Sequence, residues 1–134
     1  MNDDGNINVL VAEDDQTVLK LITFLLKKNF YKVDVAGYEV ELLDLIKKKK
    51  PAIIIISITH KNIDAVNIIR KLRESEGYSE IPLLCLSAKG NELKVMRALQ
   101  EGATSYIVKP FTPKDLLDKL IASLRKQNFV NFLG

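Results

Sequence analysis

Four side chains of this 134-residue sequence have the chemistry of a pocket for Mg²⁺ and a phosphoryl group. Glu13 and Asp14 form a carboxylate pair, Ser87 offers a hydroxyl group and Lys109 offers an ammonium group. Mg²⁺ prefers oxygen ligands such as carboxylates and keeps several waters. A nearby lysine offsets the charge of the acids and can contact a phosphoryl oxygen. These residue types therefore point to a cation-assisted phosphoryl site, if the fold brings them together.

The elements that must position these residues alternate along the chain between short apolar runs and amphipathic stretches. The apolar runs predict strands over Ile7–Ala12, Lys32–Ala36, Ala52–Ile58, Ile81–Ser87 and Thr104–Val108. The amphipathic stretches predict helices over Gln16–Asn29, Tyr38–Lys49, Ala65–Ser75 and Asn91–Gln100, and a last helix that begins at Pro113. Five strand–helix units in turn predict a parallel sheet with helices on both faces, because parallel strands need crossover helices.

Two burial patterns stand out within these elements. Val40, Leu43 and Ile46 recur at helical spacing in the second helix and are predicted to face inward. The predicted strand Ala52–Ile58 is apolar on both faces, as a strand covered by helices on both sides requires. This strand is therefore predicted to lie at the centre of the sheet.

Helix ends are marked by individual residues. Asp15, Asp64 and Thr112 are predicted to cap the amino ends of three helices, since short oxygen-bearing side chains accept from free backbone N–H groups there. Gly102 is predicted to end the fourth helix in the left-handed conformation.

The predicted topology brings the chemically useful residues to one edge of the sheet. Glu13 and Asp14 follow the first strand, Ser57 comes at the end of the third, Ser87 closes the fourth and Lys109 follows the fifth. Ligands of such sheets bind beyond the carboxyl ends of the strands. Ser57 occupies the position where this site most needs a carboxylate, because a hydroxyl group has no charge to hold Mg²⁺.

Composition limits the class of protein. A chain of 134 residues predicts a single domain, and 47% hydrophobic residues suffice for its core. A net charge of +3 does not by itself imply nucleic acid binding. The single cysteine, Cys85, excludes an internal disulfide and is predicted to be buried. No signal peptide pattern and no apolar segment of about 18 residues is present, so a soluble cytoplasmic protein is expected.

Three motifs carry a family resemblance. They are the first strand with its acids, Val9–Asp15, the segment Leu84–Ala88 and the segment Gly102–Phe111, which contains the Lys109–Pro110 pair. In this order and spacing they resemble the receiver domains of bacterial two-component response regulators, the CheY-like group. The resemblance covers about Ile7 to Lys126, so a receiver domain over 1–126 is expected, followed by an apolar tail over 127–134.

The resemblance implies a fold and roles for single residues. The fold would be a three-layer, doubly wound (βα)5 sheet of the flavodoxin-like type, with strand order 2-1-3-4-5. Glu13 and Asp14 would be the metal-binding acids, Lys109 would contact phosphate, and Ser87 would be both a phosphate-pocket and a switch hydroxyl. Tyr106 would be the aromatic switch residue, although a plain half-buried aromatic is an equal alternative. The Lys109–Pro110 peptide bond is usually cis in this family.

The sequence departs from the family at the phosphoacceptor. Ser57 stands where the acceptor aspartate is expected, the loop Thr59–Ala65 lacks the usual proline, and Ala65 replaces the usual glycine. We therefore predict a degenerate receiver, or pseudo-receiver, that is not phosphorylated at position 57 and is not an enzyme. Mg²⁺ is the implied cofactor, with affinity weakened by the loss of a carboxylate.

The predicted activity is protein binding through the fourth helix, fifth strand and fifth helix. The resemblance suggests a histidine kinase or an output protein as partner, leaves a homodimer open, and suggests neither membrane nor direct nucleic acid binding by this domain. Three alternatives remain: phosphorylation of another acid, Asp14 or Asp64; a hydrolase that uses Ser57 and His60; and a regulatory domain of a larger DNA-binding or enzymatic response regulator.

Smaller predictions concern single contacts. Lys109 is expected to pair with Asp14, and His60 is expected to face solvent. The basic run Lys47–Lys50 is interpreted as a solvated helix end, with a contact to nucleic acid or an acidic partner as the alternative. The tail over 127–134 has three possible roles that the sequence does not rank: packing on the core, a dimer contact, or the start of a linker.

Overall fold

Five parallel strands alternate with five helices in the part of the chain that the structure describes. The structure is a computed structural model and describes residues 7–133, with the side chains of residues 7–126. The strands are Asn8–Ala12 (β1), Lys32–Val35 (β2), Ile53–Ser57 (β3), Leu83–Ala88 (β4) and Ser105–Lys109 (β5). The helices are Gln16–Lys28 (α1), Glu39–Lys49 (α2), Ala65–Glu74 (α3), Glu92–Glu101 (α4) and Pro113–Leu133 (α5). The predicted order is confirmed, and no predicted end differs from the observed one by more than two residues.

The sheet has the strand order β2-β1-β3-β4-β5, and every pair of neighbours is parallel. Apolar residues of α1 and α5 pack on one face, and those of α2, α3 and α4 pack on the other. The predicted three-layer, doubly wound, flavodoxin-like fold is therefore confirmed. The strand order reverses between β1 and β3, and this is the point at which such sheets place their ligands.

The central strand β3 is buried along its whole length. Ile53 and Ile55 pack into the cluster beneath α1 and α5, whereas Ile54 and Ile56 pack into the cluster beneath α2, α3 and α4. Burying one such side chain fully stabilises the fold by about 1.5–3 kcal/mol. The same strand that supplies this core stabilisation ends at Ser57, so the position of Ser57 is fixed by packing on both faces.

Helix α2 corrects one prediction of burial. Val40 was predicted to face inward, but its side chain is 81% exposed. The buried residues of this helix are Leu42 and Ile46, which lie four positions apart on one face. Val40 precedes Leu42 by two residues, and that spacing places it on the opposite side of the helix.

The predicted helix caps are confirmed. The Asp15 carboxylate accepts from backbone N–H groups in the first turn of α1, and the Asp64 carboxylate does the same for α3. Thr112 and Asp115 cap the start of α5 reciprocally, each side chain accepting from the other residue's N–H. Gly102 ends α4 with a φ of 118°.

Helix α5 continues through Leu133, past the predicted domain end at residue 126. The side chains of 127–133, and residues 1–6 and 134, lie outside the described part of the chain. The division at residue 126 and the role of the apolar tail therefore stay predictions. Among the described helices, none combines the length and the apolar character needed to span a bilayer.

Candidate functional site

The carboxyl ends of β3, β4 and β5 lie side by side. Ser57 on β3 pairs with Leu86 on β4, and the next residue of β4, Ser87, pairs with Val108 on β5. Lys109 is the last residue of β5. The strand register therefore brings Ser57, Ser87 and Lys109 to one edge of the sheet, as predicted from sequence.

Glu13 joins this edge through an ion pair with Lys109. The Lys109 Nζ atom lies 2.7 Å from the Glu13 Oε1 atom, and the Glu13 side chain is only 1% exposed. The other carboxylate oxygen of Glu13 accepts from the N–H of Asp15 at 3.2 Å. The expectation that Lys109 pairs with Asp14 is wrong, because Glu13 is the more buried acid and therefore gains most from a cationic partner.

Asp14 instead links the end of β1 to the loop after β3. Its Oδ2 atom accepts from the backbone N–H of Lys61 at 3.2 Å. Burial alone would raise the pKa of this carboxyl group, but several effects outweigh it. The backbone N–H groups of Lys61 and of Asp14 itself, together with the neighbouring His60 and Glu13 side chains, hold the pKa below its ordinary value. Asp14 is therefore held as an anion at this edge.

The two serine hydroxyl groups have short-range partners. The Ser57 Oγ atom lies 3.5 Å from the Thr59 hydroxyl oxygen, and Ser57 is fully buried. The Ser87 hydroxyl donates to the carbonyl oxygen of Ala88 at 2.9 Å. Position 57 therefore presents a neutral, buried hydroxyl group at the point where the resemblance expects a charged acceptor.

His60 is buried, which contradicts the expectation that it faces solvent. Its residue is 7% exposed, and its Nδ1 atom accepts from the backbone N–H of Asn62 at 3.1 Å. The backbone N–H of His60 also donates to the Ser57 carbonyl oxygen, which turns the loop inward. The imidazole is thus held by the backbone of its own loop, and its observed hydrogen bond is not to the Ser57 hydroxyl.

The donor set at this edge fits Mg²⁺ poorly. In residues 7–126, no group of three or more His, Cys, Asp or Glu side chains is arranged to hold a metal ion. One of the two carboxylates, Glu13, already binds Lys109, and Ser57 adds no charge. Hard cations bind best where several anionic oxygens converge. Asp14 is therefore the acid best able to contribute to a Mg²⁺ site here, and weak binding stays the prediction.

Two features of β5 lie next to this edge. The Tyr106 residue is 40% exposed, and the Lys119 Nζ atom lies 5.9 Å from the centre of its ring. The Lys109–Pro110 peptide bond is cis, as the resemblance implied. The half-exposed position of Tyr106 is compatible with either role predicted for it, so its switch role stays a prediction.

Sequence reasoning missed residues that act through the backbone or through local turns. The sequence assigns Thr59 only to a loop, and it carries no signal that the Lys61 N–H group is a partner for Asp14. Arg73 was also missed, although its guanidinium donates to the carbonyl oxygens of Gly102, Ser79 and Ile81. The only available signal for Arg73 was a basic residue near the end of an otherwise regular amphipathic helix, and that pattern is common.

The fold and this edge together define a class of protein: a CheY-like signalling domain with acids after its first strand and a Lys-Pro pair after its fifth. A family model described as the response regulator receiver domain matches residues 9–121. The chain therefore belongs to the response regulator receiver domain family. Members of this family are generally signalling modules of two-component systems rather than enzymes, and they interact with kinases and output domains.

Individual relatives agree with this assignment. The chain is 28% identical over 120 residues to the DNA-binding response regulator MtrA of Mycolicibacterium paratuberculosis, covering 90% of this chain and 52% of MtrA. It is 31% identical over 120 residues to the response regulator MprA of a Mycobacterium species, covering 90% of this chain and 51% of MprA. The chain thus spans about half the length of these relatives.

A solved structure supports the same fold. The signal receiver domain of a response regulator from Bermanella marisrubri superimposes with a TM-score of 0.82 at 27% identity. The match covers 89% of this chain and 98% of the Bermanella chain. The receiver fold is therefore complete within the described residues.

Proposed function

We propose that this receiver does not accept a phosphoryl group at position 57 and signals by binding a protein partner. The observation that carries the proposal is the fully buried Ser57, whose hydroxyl group lies 3.5 Å from the Thr59 hydroxyl oxygen and makes no hydrogen bond with a basic or acidic side chain among the described residues. A serine hydroxyl needs an adjacent general base to become a nucleophile at neutral pH. The observed hydrogen bond of His60 is to a backbone N–H group, so it does not supply that base.

The charges at the edge support this proposal. Two carboxylates about 4 Å apart repel each other by about 4 kcal/mol at an effective dielectric constant near 20, and a bound Mg²⁺ normally relieves such repulsion. Here Lys109 neutralises Glu13 directly, and position 57 adds no further negative charge. The edge is therefore electrostatically satisfied without a metal ion, and the drive to bind Mg²⁺ is reduced.

The partner surface we propose is formed by α4, β5 and α5. Large apolar side chains are exposed there on all three elements: Leu93, Met96 and Leu99 on α4, Tyr106 and Val108 on β5, and Ile121 on α5. Met96, Leu99, Tyr106 and Val108 line a shared cleft of about 390 Å³. Contiguous exposed apolar residues of this kind mark protein interaction sites. The proposed partner is a histidine kinase, an output protein or a second copy of the chain.

Acetyl phosphate tests the loss of phosphorylation directly. The protein is incubated with acetyl phosphate and Mg²⁺, and its intact mass is measured. We expect no stable adduct on the wild-type chain. An adduct that maps to Asp14 or Asp64 after borohydride trapping would support the alternative acceptor, and an adduct on Ser57 would overturn the proposal.

The Ser57→Asp variant is the matched control for that experiment. It places a carboxylate beside Glu13, Asp14 and Lys109, so it should bind Mg²⁺ and unfold at a higher temperature when Mg²⁺ is present. The wild-type chain should show little such gain. If Ser57→Asp also lacks a Mg²⁺-dependent gain, the edge has lost more of the metal site than the acceptor carboxylate alone.

We also propose that this receiver is the regulatory domain of a longer, DNA-binding response regulator. The supporting observation is that the chain matches about half of MtrA, a DNA-binding response regulator. The reading frame that continues beyond Gly134 tests this proposal. A following helix-turn-helix domain would support it, and a stop codon directly after Gly134 would contradict it.

A further inference from the structure

A polar cleft lies beside the loop that follows β3. It has a volume of about 720 Å³ and is bounded by this loop, by α3 and α4, and by Glu39 at the start of α2. His60 and Lys61 line it from the loop, and Lys94 and Arg97 line it from α4. None of the five edge residues described above lines this cleft, so it is a separate site.

Three cations of this cleft are unpaired. The side chains of Lys61, Lys94 and Arg97 make no hydrogen bond or ion pair within the part of the chain that the structure describes. The acids of the cleft, in contrast, are already engaged. Asp64 accepts from the Asn67 N–H at 3.2 Å, and Glu39 binds a lysine of α3 at 3.4 Å. The positive charge of the cleft is therefore the charge that remains available.

His60 adds a buried hydrogen-bond donor. Because its Nδ1 atom accepts from the Asn62 N–H, the proton of the neutral ring lies on Nε2. The Nε2 atom is buried and has no hydrogen-bond partner in residues 7–126. A buried donor without a partner is destabilising, and an acceptor atom from a ligand would relieve that penalty. His60 is therefore a second and independent sign of a missing acceptor at the cleft.

We propose that this cleft binds a small anion that carries a phosphate group. Four basic and two acidic side chains line it, which gives a net charge of +2 with His60 neutral. This charge matches a phosphate dianion. Lys94 and Arg97 lie three residues apart, so their side chains are neighbours on one face of α4. An arginine contacts phosphate through two parallel N–H donors, and a lysine adds a point charge.

The test uses ¹⁵N-labelled full chain and inorganic phosphate, with ionic strength held constant by chloride. We expect saturable shifts of amide signals in residues 60–67 and 92–98. The Lys94→Gln/Arg97→Gln variant should bind at least about tenfold more weakly, since charge-assisted hydrogen bonds are lost. The control variant Lys47→Gln/Lys49→Gln removes the same charge from the exposed end of α2 and should keep wild-type affinity. Shifts that do not saturate, or equal losses in both variants, would overturn the proposal.

Two further experiments define the preferred ligand and the role of His60. The titration is repeated with glycerol 3-phosphate in place of inorganic phosphate. Tighter binding of glycerol 3-phosphate would identify a phosphate ester as the preferred ligand, and tighter binding of inorganic phosphate would identify the free ion. The His60→Leu variant removes the buried donor without introducing a new polar group. It should weaken binding while its melting temperature without phosphate stays the same or rises. An unchanged dissociation constant in His60→Leu would overturn the role of Nε2 as a ligand.

Discussion

Lys109 and Arg73 are partly buried cations at opposite edges of the same sheet. Lys109 ends β5 and binds one carboxylate, that of Glu13, at 2.7 Å. Arg73 lies near the end of α3 and binds backbone carbonyl oxygens that precede β4 and β5, those of Gly102 at 2.8 Å and Ile81 at 2.7 Å. One cation neutralises a buried charge, whereas the other joins segments of backbone.

The Lys109 contact belongs to the candidate site, whereas the Arg73 contacts are structural. The Lys109–Glu13 pair engages the two side chains that are predicted to contact phosphate and Mg²⁺, so we expect a bound ligand to compete with this ion pair. The Arg73 contacts use backbone carbonyl groups away from that edge, and they fix the chain at the amino ends of two strands. Mutations at the two edges should therefore differ in size and in their response to ligands.

The largest effect is expected for Lys109→Met. This change leaves the Glu13 carboxylate buried without its cation, and breaking a buried pair in this way destabilises a fold by about 3–5 kcal/mol. The measurement is the free energy of unfolding by urea. The double variant Glu13→Gln/Lys109→Met should recover most of the loss, because no buried charge remains. Equal instability in the single and double variants would mean that the pair is not the source of the effect.

A smaller effect is expected at the other edge for Gly102→Ala. Gly102 has a φ of 118°, and an added Cβ atom would lie 2.7 Å from the Arg73 Cγ atom. Backbone strain and displacement of Arg73 from its carbonyl partners should together lower the free energy of unfolding by roughly 2–3 kcal/mol.

Gly77→Ala is the matched control for that change. Gly77 has a φ of 89°, but an added Cβ atom would meet no other atom within 4 Å. It should therefore lose only the strain contribution, roughly 1 kcal/mol. If both alanine variants are equally unstable, Arg73 contributes nothing measurable to the cost at Gly102.

The fold could be predicted because its signals are local and repeated. The run of four isoleucines in β3 is apolar on both faces, and the caps of α1 and α3 each depend on a residue within three positions of the N–H groups that it binds. The parallel order then follows from the alternation of elements, and it places Ser57 and Lys109 at one edge. Val40 was misplaced because several faces of α2 carry apolar residues, and only packing selects the buried one.

The partners within the site could not be predicted in the same way. Whether Lys109 binds Glu13 or Asp14 depends on the direction in which two adjacent carboxylates point, and sequence spacing does not determine that. The burial of His60 depends on a turn in which its backbone N–H donates to the Ser57 carbonyl. Both contacts depend on backbone positions that are set only when the strands have assembled into the sheet.

The smallest expected effect concerns the pH dependence contributed by Asp14. Its pKa in the fold is below the ordinary value of 3.8, so the unfolded chain binds this proton more tightly than the folded chain does. The stabilisation by Asp14 is therefore present above about that pH and is lost as the pH falls through the lower, folded value. Because Asp14 is partly exposed, this stabilisation should amount to roughly a few tenths of a kcal/mol. Urea unfolding from neutral pH to about pH 2 should show Asp14→Asn less stable at neutral pH and equal to wild type at the acidic end. A difference that stays constant across this range would show that Asp14 acts through hydrogen bonds alone and not through its charge.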